Sequence, residues 1–423
     1  MADYLNDPRF KGIRPFAKKV WLASPTMHGD EYKWTGEAIL TNWVSTYGEN
    51  IIEVEKRLGE ITGCRYVVGL GSGTAALHLA VRLAAHKLFG KPETARGSLV
   101  GHRVFCSDVT FNASTNPVVY ENGDPVFIDS EYDTWNMDPE ALDRAFELYP
   151  DVKLVVVAHL YGTPARMDEI RRIAHEHGAA VVEDAAESLG ASLKIGSEWI
   201  QTGRLGDYGA ISFNGNKIIT GSAGGAFITD SQEDADIIRK WSTQSRDNAA
   251  WYQHSQTGYN YRMSNVIAGV IRGQMPYLFD HIEQKKRIYE RYREGLADLP
   301  VKMNPINDGA AICNYWLSCM IIDEEAMCFF ERGDFKQSWE KEKGKSCPGE
   351  ILEALAAFNA EGRPIWKPMH MQPLYEKCAY VTKDDGNVGE DIFRRGLCLP
   401  SDIKMTEEEQ DIIIDIIHRC FLD

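Results

Sequence analysis

An α/β protein built on a mainly parallel sheet is what the sequence predicts, and three observations carry that prediction. From residue 64 to about 230, short Val/Ile/Ala-rich runs alternate with amphipathic stretches, the pattern of βα units. The clearest unit begins at LVVVAHLYG (154–162), continues through the helical MDEIRRIAHEHG (167–178) and returns as AAVVEDAA (179–186), which makes a βαβ crossover. Apolar residues make up 44% of the chain against 26% charged, which excludes a disordered, collagen-like or coiled-coil chain. In such sheets ligands collect at the carboxyl ends of the strands, so chemistry is expected near Tyr161 and Asp184.

The remaining elements follow in order. The length of 423 residues corresponds to about three average domains. After residue 275, PYLFDHIEQKKRIYERYREGLADL has helical apolar spacing among many charges and reads as a long helix between two domains. We therefore divide the chain into an N-terminal arm with a large domain (1–275) and a linking helix with a smaller C-terminal α/β domain (276–423). The stretch ERGDFKQSWEKEKGK (331–345), dense in charges of both signs, reads as a solvated loop or insertion. Thr406 and Glu409 have capping-box spacing before IIIDII, which predicts a docking helix near the C-terminus.

Composition narrows the function. A net charge of −16 argues against a sequence-independent grip on nucleic acid or anionic membrane. Nine scattered cysteines with no CxxC pair and no His/Cys cluster read as free thiols in a reducing compartment, with no metal site. The stretch MADYLNDPRFKGIRPFAKK is too charged for a secretory leader, and no apolar run approaches the ~18 residues of a membrane span. The expected location is cytoplasmic.

Three segments carry chemistry. GLGSGTAALHLAVRLAA (69–85) is a glycine-rich turn running into an Ala/Leu helix, and its backbone N–H groups suit a phosphate at Ser72, Gly73 and Thr74. Alone it also fits a tight turn with a capped helix, a dinucleotide fingerprint or a methyltransferase turn. VVEDAAESLGA (181–191) places Asp184 after an apolar strand, where a buried carboxylate needs a cationic or proton-bearing partner. A structural Asp satisfied by a loop arginine or backbone N–H groups fits equally. DYGAISFNGNKIITGSAGGAFITD (207–230) carries Ser212 into a polar turn and presents Lys217. Most lysines are solvated and inert; one between apolar strands and beside a phosphate site can be partly desolvated, which favours the neutral, nucleophilic amine. Together, phosphate donors, a strand-end acid and a lysine match pyridoxal phosphate, which has a phosphate, a ring nitrogen that must stay protonated and an aldehyde that needs an amine.

These segments, with SPTMHGDE (24–31), DVTFNASTNPV, HLYG, GYNYRMSN, RPIWKPMH and GLCLPS (396–401), resemble the DegT/DnrJ/EryC1/StrS family of sugar aminotransferases across nearly the whole chain. The resemblance implies the fold type I architecture of pyridoxal phosphate enzymes, with a large domain on a seven-stranded-type sheet and a smaller C-terminal α/β domain. By position it implies that Lys217 anchors the cofactor and moves the proton, and that Asp184 pairs with the ring nitrogen. Gly73, Thr74 and Ser212 bind the phosphate, Phe111 stacks on the ring, and Glu187 lies near its phenolic oxygen. It also implies a homodimer with shared sites, in which Asn260 of the partner copy reaches the phosphate and Arg246 approaches the sugar nucleotide.

Family members with histidine at the lysine position are dehydratases, so Lys217 implies transamination. STQSRDNAAWYQH, GYNYRMSNV and GRPIWKPMHMQP look most like the branch that aminates UDP-4-keto-6-deoxy-N-acetylglucosamine in bacillosamine synthesis, with L-glutamate as donor. Where other branches have a histidine, this chain offers Trp316 as the substrate contact. Residues 86–100 and 331–345 look like extra length. The alternatives are another nucleotide-linked 3- or 4-keto sugar, a pyridoxal phosphate-dependent lyase or aldolase, and a nonenzymatic regulator on the same fold.

Overall fold

The computed structural model describes residues 3–92, 97–306 and 309–422. Residues 93–96, within the first stretch of extra length, lie outside the described residues. Eight strands form the central sheet: β1 (Tyr66–Leu70), β2 (Arg103–Ser107), β3 (Asp124–Ile128), β4 (Leu154–Ala158), β5 (Ala180–Asp184), β6 (Tyr208–Ser212), β7 (Gly225–Thr229) and β8 (Ala379–Val381). Their order is β1, β7, β6, β5, β4, β2, β3, β8. Only β7 runs against its neighbours; the rest are parallel. Seven strands lie within the first 230 residues, and the eighth comes from the C-terminal part of the chain and pairs with β3. The βαβ crossover is present as β4, the helix Met167–Glu176 and β5, paired in register from Leu154 with Ala180 to Ala158 with Asp184.

Parallel strands covered on both faces are mainly apolar, and β4 and β6 are buried at every residue. The helix Gly73–Phe89 is buried along most of its length. Its alanines at 75, 76, 80, 84 and 85 let it lie close to the sheet, where Val68, Val156, Val182 and Phe227 meet it in one core. On the opposite face Phe105, Val155, Val157 and Val181 pack with Leu142, Phe146 and Ile170. Each such side chain contributes roughly 1.5–3 kcal/mol through burial.

A second core gathers around a four-stranded antiparallel sheet, Val301–Met303, Cys319–Ile322, Gly396–Cys398 and Arg363–Pro364. Its apolar residues come from the helices Leu278–Gly295, Pro348–Ala357 and Glu407–Cys420, and also from Tyr4, Phe10 and Val20 near the N-terminus. The long helix expected after residue 275 is Leu278–Gly295. The terminal helix has the expected capping box, with Thr406 Oγ1 accepting from Glu409 N and Glu409 accepting from Thr406 N.

One expectation needs correction. Residues 331–345 are not simply a loop: Phe330–Arg332 and Gln337–Trp339 pair as an antiparallel hairpin with Phe330 opposite Trp339. Both aromatics pack against the second core, which outweighs the local charge density. None of the nine cysteines is in a disulfide. Among the described residues no helix is long and apolar enough to cross a membrane, and no group of three or more His, Cys, Asp or Glu side chains is placed to hold a metal ion.

Candidate active site

The carboxyl ends of β1, β4, β5 and β6 open onto a cavity of about 280 Å³. Its lining includes Gly73, Thr74, Phe111, Asp184, Glu187, Ser212, Lys217 and Trp316, all singled out from the sequence. Asn260 and Arg246 do not line it; both are exposed on the segment that follows the helix Gln232–Ser242. Arg246 packs over the Tyr252 ring, 5.5 Å from its centre, and makes no ion pair among the described residues.

One end of the cavity is made for an anion. Ser72 caps the helix Gly73–Phe89, its Oγ accepting from Ala75 N at 3.0 Å, so the next N–H groups face the opening. Strand and helix meet closely here. A Cβ on Gly73 would sit 2.8 Å from Ser212 Cβ, and one on Gly225 would sit 2.4 Å from the Ser72 carbonyl carbon. Glycine is required at both places by contact, and that contact brings the Ser212 hydroxyl beside the helix terminus.

Asp184 ends β5 and is held from two sides. Its Oδ2 accepts from Ser114 Oγ at 2.6 Å and its Oδ1 from Ala186 N at 3.0 Å. Since the Ser114 hydrogen goes to Asp184, Thr110 Oγ1 donates to Ser114 at 2.7 Å. The carboxylate is thereby aimed while keeping lone pairs for a further donor.

Lys217 Nζ lies 3.6 Å from Glu187 Oε1 and 4.2 Å from the centre of the Trp316 ring. Burial pushes the Glu187 carboxyl above its usual range, against the opposing effect of the Lys217 charge and of the Tyr161 N–H, which Oε2 accepts at 2.9 Å. To donate that N–H, Tyr161 adopts a left-handed backbone with φ of 53°, a conformation that costs of order 1–3 kcal/mol. The Tyr161 hydroxyl in turn accepts from Trp366 N at 2.9 Å. Trp316 spends its indole N–H on Asn216 O at 2.7 Å, so it offers the cavity only its ring.

Several cavity residues carried no assignment from the sequence: Thr110, His159, Asn214, Asn216 and Trp366. His159 Nδ1 accepts from Ala165 N and its Nε2 donates to Glu183 Oε1 at 2.7 Å, which fixes the tautomer. Glu183 is itself held by the N–H groups of Gly203, Leu205 and Gly206. HLYG and RPIWKPMH contain two of these residues, but no local pattern marks them.

An anion cradle, an aimed acid and a shielded amine on one cavity suit a cofactor with a phosphate, a basic ring nitrogen and an aldehyde. The sequence pattern of the DegT/DnrJ/EryC1/StrS aminotransferase family matches residues 25–418. The chain belongs to this family. It is similar to the putative pyridoxal phosphate-dependent aminotransferase EpsN of Bacillus subtilis (strain 168), with 40% identity over 412 residues and 96% of each chain covered. It is also similar to the GDP-perosamine synthase of Caulobacter vibrioides, with 30% identity over 407 residues, 96% of this chain and 99% of that one. A solved structure of DesI in the presence of its TDP-sugar product shares the fold, with a TM-score of 0.81 over 98% of this chain and 95% of that one at 24% identity.

The protein is thus a pyridoxal phosphate-dependent sugar aminotransferase. The residues present fit that cofactor: the N–H groups of Gly73 and Thr74 with the Ser212 hydroxyl would suit its phosphate, the Asp184 carboxylate its ring nitrogen and the Lys217 amine its aldehyde.

Proposed function

We propose that the enzyme moves the amino group of L-glutamate to the C4 keto group of a nucleotide-linked 4-keto-6-deoxy sugar, with UDP-2-acetamido-2,6-dideoxy-hexos-4-ulose as the substrate. The observation that carries the reading is Lys217, set between the Glu187 carboxylate and the Trp316 face on the cavity that Asp184 also lines. Bound pyridoxal phosphate supplies an electron sink that lets a C–H bond beside nitrogen break. Lys217 Nζ takes that proton from the donor carbon and returns one to the sugar carbon. Asp184 keeps the ring nitrogen protonated, Ser114 keeps Asp184 aimed, and Trp316 with Trp366 narrows the space for water.

What supports the UDP-linked N-acetyl sugar is the resemblance of STQSRDNAAWYQH, GYNYRMSNV and GRPIWKPMHMQP to the branch of the family that aminates it. In a chain of net charge −16, a nucleoside diphosphate needs local cations, and Arg246 is exposed without an acidic partner among the described residues. In this reading two copies pair and share their sites, Arg246 of one approaching the diphosphate and Asn260 the phosphate end of the other's cavity. Binding of the nucleotide far from C4 orients the reacting carbon.

The test is incubation of the holoenzyme with L-glutamate and a panel of UDP-, dTDP- and GDP-linked 4-keto sugars, read by product mass and NMR. Amino sugar and 2-oxoglutarate formed in equal amounts with the UDP-linked N-acetyl sugar support the proposal. Preference for another nucleotide overturns the substrate, and release of ammonia or a cleaved carbon chain overturns the transfer.

A further inference from the structure

His370 lies outside the catalytic cavity, but both of its ring nitrogens face carboxylates. Nδ1 is 2.8 Å from Asp108 Oδ2 and Nε2 is 3.1 Å from Glu390 Oε1. A carboxylate only accepts, so a ring with two such partners is a donor at both nitrogens, an imidazolium. Asp108 also accepts the His370 backbone N–H at 2.9 Å, and its carbonyl accepts from Met369 N at 2.8 Å. Tyr380 of β8 stacks on the ring with centroids 3.8 Å apart. Asp129, just after β3, adds a charge beside Asp108 and Tyr380, and it is occupied by the N–H groups of Val388 and Gly389.

The two segments joined here form one wall of the cavity. Asp108 begins the loop that carries Thr110, the donor to Ser114, and Phe111 on the cavity lip. His370 ends the segment that carries Trp366, whose ring centre lies 5.3 Å from that of Phe111 and whose N–H binds the Tyr161 hydroxyl. We propose that His370 is a positioning residue: as an imidazolium held between Asp108 and Glu390, it pins residues 363–370, and with them Trp366, against the loop that places Phe111 over the cofactor ring. Burial works against the charged ring, but the hydrogen bonds and charges of Asp108 and Glu390 prevail and raise the His370 pKa. The pin therefore holds below the raised pKa and loosens as pH rises through the imidazole titration.

The inference rests on the chain's use of pyridoxal phosphate and not on the identity of the sugar, so the probe is pyridoxal phosphate alone. Its dissociation constant is followed from pH 6 to 10 by quenching of protein fluorescence, in parallel with NMR of labelled histidine. In the wild type, affinity falls as the His370 ring deprotonates. His370→Gln is expected to bind about tenfold more weakly at pH 7 and to lack that step. Glu390→Gln removes one carboxylate without touching the cavity, and should move the imidazole titration and the affinity step together to lower pH. Wild-type affinity and pH profile in His370→Gln, or a moved titration with an unmoved affinity step in Glu390→Gln, overturns the proposal. Should His370→Gln fail to fold, the Glu390→Gln profile decides. A sugar panel that yields no amino sugar leaves both readouts unaffected.

Discussion

Lys285 Nζ donates to the Trp316 carbonyl oxygen at 2.9 Å, and with a second hydrogen at the same distance to that of Ser401. The lysine sits on the buried side of the helix Leu278–Gly295 and secures, from behind, the segment whose indole faces Lys217. Burial pushes its pKa down to about 8. A neutral amine still has two hydrogens for these two acceptors, so the clamp survives loss of the charge.

Lys285→Met removes both donors and leaves two buried carbonyls unmet, at a cost of about 1–3 kcal/mol each. Denaturant unfolding at pH 7 should show that loss. Between the folded pKa of about 8 and the unfolded value near 10.5 the unfolded chain binds the extra proton, so the Lys285 contribution to stability grows as pH rises. The wild-type advantage over Lys285→Met should accordingly widen from pH 8 to 10; a gap that narrows would contradict the lowered pKa.

Lys217→Ala should fold normally, because the apolar strands around it are untouched, and should lose transfer by at least about 10²–10⁴-fold, the share that general acid–base chemistry supplies. Borohydride treatment followed by peptide mass analysis should fix the cofactor to residue 217 of the wild type and to no residue of the variant.

Ser114→Ala separates the aim of Asp184 from its charge. Losing one hydrogen bond to a carboxylate costs about 1.5–3 kcal/mol, so the half-reaction with L-glutamate should slow by roughly ten- to a hundredfold. Asp184→Ala, which removes the acid itself, should slow it much further. Stopped-flow absorbance reads both, and equal rates in Ser114→Ala and wild type would dismiss the aiming role.

Glu121 joins the helix Gly73–Phe89 to the GYNYR segment. It accepts from His78, Arg82, Ser98 N and the Tyr259 hydroxyl. Burial alone would raise its pKa, but the hydrogen bond from His78, the Arg82 charge and the Ser98 bonds hold it well below the usual carboxylate range. Its stabilisation is therefore complete above the unfolded value near 4.3 and is lost as pH falls toward the folded one. Glu121→Ala should cost about 3–5 kcal/mol at pH 7 by leaving Arg82 buried and unpaired, and the difference from wild type should shrink in acid. Urea titrations at pH 7 and 3 provide the comparison.

Local chemistry explains what was legible in the sequence. The βαβ unit, the helix after 275 and the Thr406 cap declare themselves by periodicity or spacing within a few residues. Asp184 and Ser212 end apolar strands and Lys217 lies in the turn that follows, so each stood out as a candidate from its own neighbourhood, while its role came from the family resemblance. Ser114, Lys285 and His370 act on partners 70, 31 and 262 residues away, and nothing near them in sequence states whom they meet. The hairpin at 330–339 was hidden for a different reason. Phe330 and Trp339 turn inward and Arg332 packs over the Phe330 ring, whereas the density of charge dominates a linear reading. β8 has only three residues, too few for alternation to register.

That short strand has a consequence for folding in the cell. Until residues 379–381 arrive, the outer edge of β3 carries bare backbone donors and acceptors beside an apolar face. A nascent or truncated chain ending before them should recruit other copies through that edge and form insoluble fibrous material. A strand made late in the chain thus shields an edge built from its earlier part.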